Sequence, residues 1–241
     1  SLTYNDMPFV ISTNLINTIK FENKVTNKYV RYHDDNILFD KNSPEAFDEV
    51  FFSKFSSYDI EKELPKFISL ITKNKNKLRY LSKNNYNFSR IKSIQRSLKN
   101  SIFLIPFRNP INHSYSLLNQ HRNFLRLQNQ NKFLKKYMGY LGHYEFGQNH
   151  ISWNKPNFYN DFMKLNYWLE QWKIFYTNII EQYKDNEKCY FIRYESLTND
   201  KYINKLKNIC KISTEINFNF INSNKKIEEN FSKSLYEETL E

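Results

Sequence analysis

The stretch that decides the fold reads Ser101-Ile-Phe-Leu-Ile-Pro-Phe-Arg-Asn-Pro110. Its residues 102–107 form a continuous apolar run, with the length and composition of a buried parallel strand. Asn109 is a good helix cap and Pro110 suits the first helical position, so we expect a helix that extends to about Leu127. The order is therefore strand, turn and helix, and Arg108 stands at the carboxyl end of the strand.

Further strands and helices are predicted on both sides of this stretch. A second apolar run, Cys189–Tyr194, predicts another buried strand, and Leu78–Ser82 predicts a short strand that ends in a loop. Helices are predicted from Ser43 onward and at Glu61–Lys73, Arg90–Leu98, Asp200–Cys210 and Lys226–Leu240. A long amphipathic helix carries the apolar stripe Phe162, Leu165, Trp168, Trp172, Phe175, Ile179 and Tyr183. Short strands alternating with helices indicate an α/β fold, with a central parallel sheet flanked by helices on both faces in one domain over residues 1–241.

The composition excludes some classes of function. Of the 241 residues, 40% are hydrophobic, which is enough to bury a core. The three glycines are Gly139, Gly142 and Gly147, so no glycine-rich phosphate loop of the usual kinds can precede Gly139. The formal net charge of +11 leaves open a basic module that binds nucleic acid or glycan.

The cysteines and the apolar runs exclude two further classes. Cys189 and Cys210 are isolated thiols without metal-ligand spacing, so we expect neither a metal site nor a disulfide framework. Apolar runs such as Ile102–Phe107 are far shorter than the roughly 20 residues that span a bilayer, so we expect no membrane span in these residues.

The strand end at Arg108 is the most informative candidate site. Open α/β sheets bind ligands at the carboxyl ends of their strands. There an arginine can hold a phosphate through two forked hydrogen bonds, and a helix N-terminus adds its positive end. Ser116 lies seven residues beyond Asn109, about 700° around the helix, so both face the same side. From spacing alone, the alternative is that Arg108 pairs with a surface acid and Ser116 is an ordinary helix residue.

The motif resembles the 3′-phosphate-binding strand, turn and helix of sulfotransferases that use 3′-phosphoadenosine 5′-phosphosulfate (PAPS). In that family an arginine ends the strand, a proline-containing turn follows, and a serine comes eight residues after the arginine, as Ser116 follows Arg108. Two other segments support the resemblance. Lys83 in Tyr80-Leu-Ser-Lys-Asn-Asn matches a lysine close to the sulfuryl group, and Tyr194 in Phe191-Ile-Arg-Tyr-Glu-Ser-Leu197 matches a tyrosine near the nucleoside.

The resemblance implies a P-loop-NTPase-like sulfotransferase fold of the family's bacterial-type branch. Segments at Thr3–Phe9, Ser43–Phe47 and Tyr137–Gly147 are similar to that branch. Two features depart from the family pattern. Asn109 stands where an acidic residue is common, and the loop that holds the 5′-phosphosulfate has no counterpart. The chain therefore resembles a family member that lacks its first strand, this loop and the following helix.

The implied reaction is in-line transfer of a sulfuryl group from PAPS to a hydroxyl or amine of a small-molecule or glycan acceptor. Lys83 would stabilise the developing charge, and Arg108, Ser116 and Tyr194 would bind the cofactor. Asp6 matches the position of an acidic base, with His33 as the alternative. No metal and no nucleic acid partner is expected.

The acceptor is expected at a loop over residues 138–156. In this loop His143 and Glu145 are the candidate substrate-binding residues, and Trp153 is a candidate for stacking on a ring. The alternative for this segment is a tight turn between helices. A non-catalytic relic of the sulfotransferase fold is a further alternative for the whole chain. The resemblance and the unpaired thiols suggest a cytoplasmic protein.

Overall fold

The structure, a computed structural model, describes residues 3, 29–30, 38–40, 43, 47–74, 79–213 and 226–240. The fold is α/β and mostly helical, and the described residues contain one small parallel sheet. They divide into two compact units. Unit 1 contains the described residues up to Asn100 together with Asn123–His150, and unit 2 contains Ser101–Arg122 and the described residues from Ile151 onward.

Unit 1 is helical apart from an antiparallel pair of short strands, β1 (Tyr29–Val30) and β2 (Leu38–Phe39). Its helices are α1 (Asp48–Phe52), α2 (Ser57–Asn74), α3 (Ile91–Ser97), the last part of α4 (Pro110–Gln130) and α5 (Lys132–Tyr140). A 3₁₀ turn, Asn85–Arg90, leads into α3. The largest buried apolar side chains of this unit include Phe47, Phe52, Ile60, Leu64, Ile91, Phe124 and Leu134.

Two predictions for unit 1 are wrong, one for a strand and one for the start of a loop. The predicted strand at Leu78–Ser82 is absent over its described part, because Tyr80 and Ser82 donate side-chain hydrogen bonds to Asp48 and the backbone pairs with no strand. The loop predicted to start at Met138 begins only after Tyr140, since α5 continues through Gly139 to Tyr140. The helices predicted at Glu61–Lys73 and Arg90–Leu98 are confirmed as α2 and α3.

Unit 2 holds the parallel sheet. Strands β3 (Phe103–Phe107) and β4 (Cys189–Arg193) pair in parallel, with Phe103 opposite Cys189 and Phe107 opposite Arg193. Its helices are the first part of α4, α6 (Leu165–Tyr183), α7 (Asp200–Cys210) and α8 (Lys233–Glu238), and a 3₁₀ turn, Tyr194–Thr198, follows β4. The two predicted apolar strands and their parallel pairing are therefore confirmed.

The helix boundaries of unit 2 confirm some predictions and correct others. Helix α7 has the predicted bounds, and the side chain of Asn199 accepts two first-turn N–H groups at its start. Helix α6 begins at Leu165, because the backbone carbonyl of Phe162 instead accepts a hydrogen bond from the Trp168 indole at 2.9 Å. The predicted helix at Lys226–Leu240 begins only at Lys233, where Ser232 caps α8.

None of the helices in the described ranges combines the length and the hydropathy needed to cross a membrane.

Candidate functional site

The parallel register brings two predicted site residues together in unit 2. Phe107 and Arg193 are the last residues of β3 and β4 and lie opposite each other. The residues that follow them, Arg108 and Tyr194, are therefore neighbours. The guanidinium carbon of Arg108 lies 5.2 Å from the centre of the Tyr194 ring, which is cation–π geometry. The two side chains therefore share the carboxyl edge of the sheet.

Asn109 fixes the turn between β3 and α4. Its side-chain oxygen accepts the Asn112 N–H at 3.2 Å, and its carbonyl accepts the His113 N–H at 3.0 Å, so Asn109 is the predicted cap of α4. The backbone N–H of Asn109 donates to the Glu195 carboxylate at 2.8 Å. Glu195 thus ties the turn after β4 to the turn after β3 and fixes the backbone beside Arg108.

Two arginines lie at this edge together with Glu195. The Glu195 carboxylate approaches the Arg193 guanidinium at 3.7 Å and also accepts the Asn109 N–H. The positive end of the α4 dipole lies at the same edge. Arginine side chains beside a helix N-terminus are groups to which an anion can bind.

His113 lies in the first turn of α4, among these charges. Its Nδ1 atom is buried and bonds no described residue, and its ring lies 6.3 Å from that of Tyr176. Burial and, to a lesser degree, the charge of Arg108 lower the pKa of His113 to about 4, and Glu195 opposes the change. The imidazole is therefore neutral near pH 7 and adds no charge to the edge.

This buried histidine predicts acid sensitivity. The pKa of His113 is lower in the folded chain, about 4, than in the unfolded chain, 6.5, so between these values the unfolded chain binds more protons. The free energy of unfolding should rise with pH across this window, by up to about 1.4 kcal/mol per pH unit from this one group. Urea unfolding of wild type and His113→Gln at several pH values measures the slope, and the variant should lack this contribution. An unchanged slope would contradict the assignment.

Ser116 lies on α4, two helical turns beyond the cap. Its side chain is exposed and its hydroxyl makes no hydrogen bond to the described residues. Asn109 and Ser116 share the helix side that the spacing predicts. The structure therefore leaves Ser116 available to a ligand, without a contact to Arg108.

Lys83 belongs to unit 1 and lies on a segment that polar contacts hold in place. On one side of it, Ser82 donates to the Asp48 carboxylate. On the other side, the Asn84 amide donates to Glu49 at 2.7 Å and to Asp48 at 3.4 Å. The Lys83 side chain is exposed while its backbone neighbours are anchored, so the ammonium group is presented from a fixed segment.

The Glu49 carboxylate that Asn84 contacts belongs to a buried ion pair with Arg90. The two guanidinium nitrogens of Arg90 contact the two carboxylate oxygens of Glu49 at 2.7 and 2.6 Å. The side chains of Arg90 and Glu49 are only 15% and 7% exposed. Arg90 also lies 4.6 Å from the centre of the Phe52 ring. This pair joins α1 to the 3₁₀ turn that leads into α3.

His143 and Glu145 also lie in unit 1, and they form a pair. The Nδ1 atom of His143 is 3.5 Å from a carboxylate oxygen of Glu145, whose other oxygen accepts the Asn85 amide at 3.2 Å. The Glu145 side chain is 4% exposed and that of His143 is 21% exposed. Burial alone would raise the pKa of Glu145, but the contacts with His143 and Asn85 hold it below its usual value. Glu145 is therefore a buried, ionised carboxylate.

The glycines after α5 shape the segment around this pair. Gly142 has a φ of 72°, and the Gly142 and His143 N–H groups bond the carbonyls of Gly139 and Met138, which is the Schellman pattern of a helix end. Gly147 has a φ of 84°, and a Cβ there would lie 2.4 Å from the Gln128 side chain. Gly139 lies within α5, so two of the three glycines have a positive φ.

The remaining predicted residues fall into two groups. Asp6 and His33, the candidate bases, lie outside the described residues. Trp153 packs near Trp168 and Phe175, with ring centres 6.4 and 6.2 Å away, so its ring contacts the core of unit 2. Of the predicted acceptor loop, residues 138–140 are helical, and residues 151–156 belong to unit 2.

Sequence reasoning missed Glu195, His113 and Asn85. Glu195 could have been found, because it directly follows Tyr194 at a strand end and parallel strands bring their carboxyl ends together. His113 could have been found from its place in the first turn of the helix that Asn109 caps. Asn85 had no such signal, since its partner Glu145 is 60 residues away.

Comparison of the chain with known protein families, with curated proteins and with solved structures finds no match.

Proposed function

We propose that this chain is a sulfotransferase that takes its sulfuryl group from PAPS and transfers it to a hydroxyl or amine of a small-molecule or glycan acceptor. The observation that carries the proposal is the pairing of Arg108 with Tyr194 at the carboxyl edge of β3 and β4. A guanidinium beside an aromatic ring suits a nucleotide whose phosphate lies next to its nucleoside. The proposal includes a P-loop-NTPase-like sulfotransferase fold for the chain.

The charge at the edge supports an anionic ligand. Arg108 and Arg193 lie there with Glu195, and the neutral His113 adds no charge. Arg108 would bind the 3′-phosphate, Ser116 would donate its hydroxyl to the same group, and Tyr194 would contact the nucleoside. Since Asn109 and Glu195 fix the turn, Arg108 starts from an ordered backbone, which reduces the entropy lost on binding.

Lys83 would act on the group that is transferred. Sulfuryl transfer requires little covalent chemistry from the protein, so positioning and charge stabilisation account for most of the rate. An exposed ammonium on an anchored segment can stabilise the negative charge that develops on the sulfuryl oxygens and the leaving phosphate. The free thiols Cys189 and Cys210 support the cytoplasm as the proposed compartment.

The proposal is tested by comparing two nucleotides that differ only in the 3′-phosphate. The full chain should bind 3′-phosphoadenosine 5′-phosphate (PAP) at least about tenfold more tightly than adenosine 5′-monophosphate, a difference of about 1.4 kcal/mol. Isothermal titration of both nucleotides under identical salt measures this ratio. Equal affinities, or no binding of either by a folded chain, would reject the proposed donor.

A further inference from the structure

A cavity in unit 2 lies between the 3₁₀ turn that follows β4 and the start of α7. It has a volume of about 550 Å³ and opens to solvent. Glu195 lines it, together with residues that carry hydroxyl, amide or ammonium groups, namely Ser196, Thr198, Asn199, Lys201, Tyr202 and Lys205. Cavities of this order of size bind small molecules. Because each of these side chains has a polar group, the cavity suits a hydrophilic ligand.

Hydrogen bonds hold the walls of this cavity in place. At the start of α7, the side-chain oxygen of Asn199 accepts the N–H groups of Lys201 and Tyr202 at 2.9 and 3.2 Å. The hydroxyl oxygen of Tyr202 accepts the Arg193 N–H at 3.0 Å, which joins α7 to the last residue of β4. Since the walls are ordered without a ligand, they lose little conformational entropy when one binds.

Two ammonium and two hydroxyl groups of the cavity are available to a ligand. Within the described ranges, the exposed side chains of Lys201 and Lys205 bond no other residue. They are four residues apart and therefore lie on the same side of α7, with their Cβ atoms about 6 Å apart. The Ser196 hydroxyl bonds no described residue. The Tyr202 hydroxyl, whose oxygen accepts an N–H, can still donate its hydrogen.

These donors suit an anionic oxygen group, and Glu195 restricts the charge of that group. Ammonium and hydroxyl groups bind carboxylates, sulfates and phosphates. The Glu195 carboxylate lines the same cavity and repels a phosphate dianion more strongly than a monoanion. One of its oxygens accepts the Asn109 N–H at 2.8 Å, and the other lies 3.7 Å from the Arg193 guanidinium. Each oxygen keeps a lone pair that can accept the hydrogen of a ligand hydroxyl.

We propose that this cavity is a binding site for a sugar acid, a carbohydrate that carries a carboxylate. The carboxylate lies between the ammonium groups of Lys201 and Lys205, and hydroxyls of the sugar bond Glu195 and Ser196. Because Asn199 already bonds the first N–H groups of α7, side chains rather than the helix end hold the anion. The site is independent of the proposed sulfuryl transfer.

The test compares D-glucuronate with its methyl ester, which has the same ring hydroxyls and no charge. In a ¹H–¹⁵N NMR titration of the full chain, glucuronate should bind at least about tenfold more tightly than the ester. The amide signals that shift should belong to residues 196–205. Inorganic phosphate should bind more weakly than glucuronate, because Glu195 repels it. Equal affinities for the acid and the ester, tighter binding of phosphate, or shifts confined to other residues would overturn the proposal.

Two double variants separate this site from a general effect of charge. Lys201→Ala with Lys205→Ala should weaken glucuronate binding at least about tenfold and leave the affinity for the ester unchanged. Lys184→Ala with Lys188→Ala is the matched control, because it removes two exposed charges that precede β4, at the end of the strand opposite Arg193. This control should bind glucuronate within about twofold of wild type. Equal losses in the two double variants would reject the site.

The outcomes also separate the sugar-acid site from the proposed function. Lys201→Ala with Lys205→Ala should bind PAP within about threefold of wild type, because exposed charges are screened by salt. A loss of about tenfold or more in PAP affinity would place both lysines in the nucleotide site and reject the sugar acid as their ligand. If glucuronate binds in the cavity and PAP does not bind at all, the proposed function fails and the sugar-acid site is supported.

Discussion

Arg108→Ala should remove the preference for PAP over adenosine 5′-monophosphate. Each charge-assisted hydrogen bond to a phosphate contributes about 1.5–3 kcal/mol, and the guanidinium can form two of them. We therefore expect PAP to bind about a hundredfold more weakly, a loss of about 2.7 kcal/mol, while the affinity for the monophosphate changes little. Isothermal titration of both nucleotides into the wild-type chain and Arg108→Ala measures the four affinities that this comparison needs.

Two controls separate a local contact from a general effect of charge. Arg96→Ala removes the same charge from an exposed side chain of unit 1 and should leave the PAP affinity within about twofold, because exposed charges are screened. Arg108→Lys keeps the charge but loses the planar fork and should recover only part of the affinity. If Arg96→Ala weakened PAP binding as much as Arg108→Ala, the 3′-phosphate contact would be excluded.

Arg90→Ala should destabilise the protein more than any surface change. It leaves the Glu49 carboxylate buried without its cation, and breaking a buried pair in this way costs about 3–5 kcal/mol. Because whole domains have only about 5–15 kcal/mol of stability, the variant should be close to unfolding at room temperature. The midpoint of urea unfolding, followed by circular dichroism, measures the loss.

The chain offers a matched control for this prediction. Arg96 forms an ion pair with Glu61 at 3.0 Å, but its side chain is 68% exposed. Arg96→Ala should cost at most about 1 kcal/mol, as is usual for surface pairs. A similar shift of the midpoint in both variants would show that burial of the Glu49 pair has no special effect on stability.

Helices and strands that are determined by residues adjacent in sequence could be predicted from the sequence. The apolar run before Arg108, the cap at Asn109 and the proline after it are local signals, and they produced β3 and α4 as expected. The bounds of α7 also agree with those predicted from the sequence. Local signals failed at Leu78–Ser82, where side-chain bonds to Asp48 determine the path of the chain.

The candidate site could be predicted only in part, because its contacts join residues distant in sequence. Arg108 and Tyr194 could be placed together, since parallel strands align their carboxyl ends. The bond between Asn85 and Glu145 spans 60 residues, and the pair of Arg90 and Glu49 spans 41. No periodicity or spacing reports contacts of this kind, which depend on how the elements pack.

A crystal structure of the full chain with PAP tests the proposed donor site most directly. We expect the 3′-phosphate within hydrogen-bonding distance of the Arg108 guanidinium at the start of α4, with the Ser116 hydroxyl toward the same group and the nucleoside against Tyr194. A nucleotide bound elsewhere, with Arg108 still over the Tyr194 ring as it is without ligand, would contradict this binding mode.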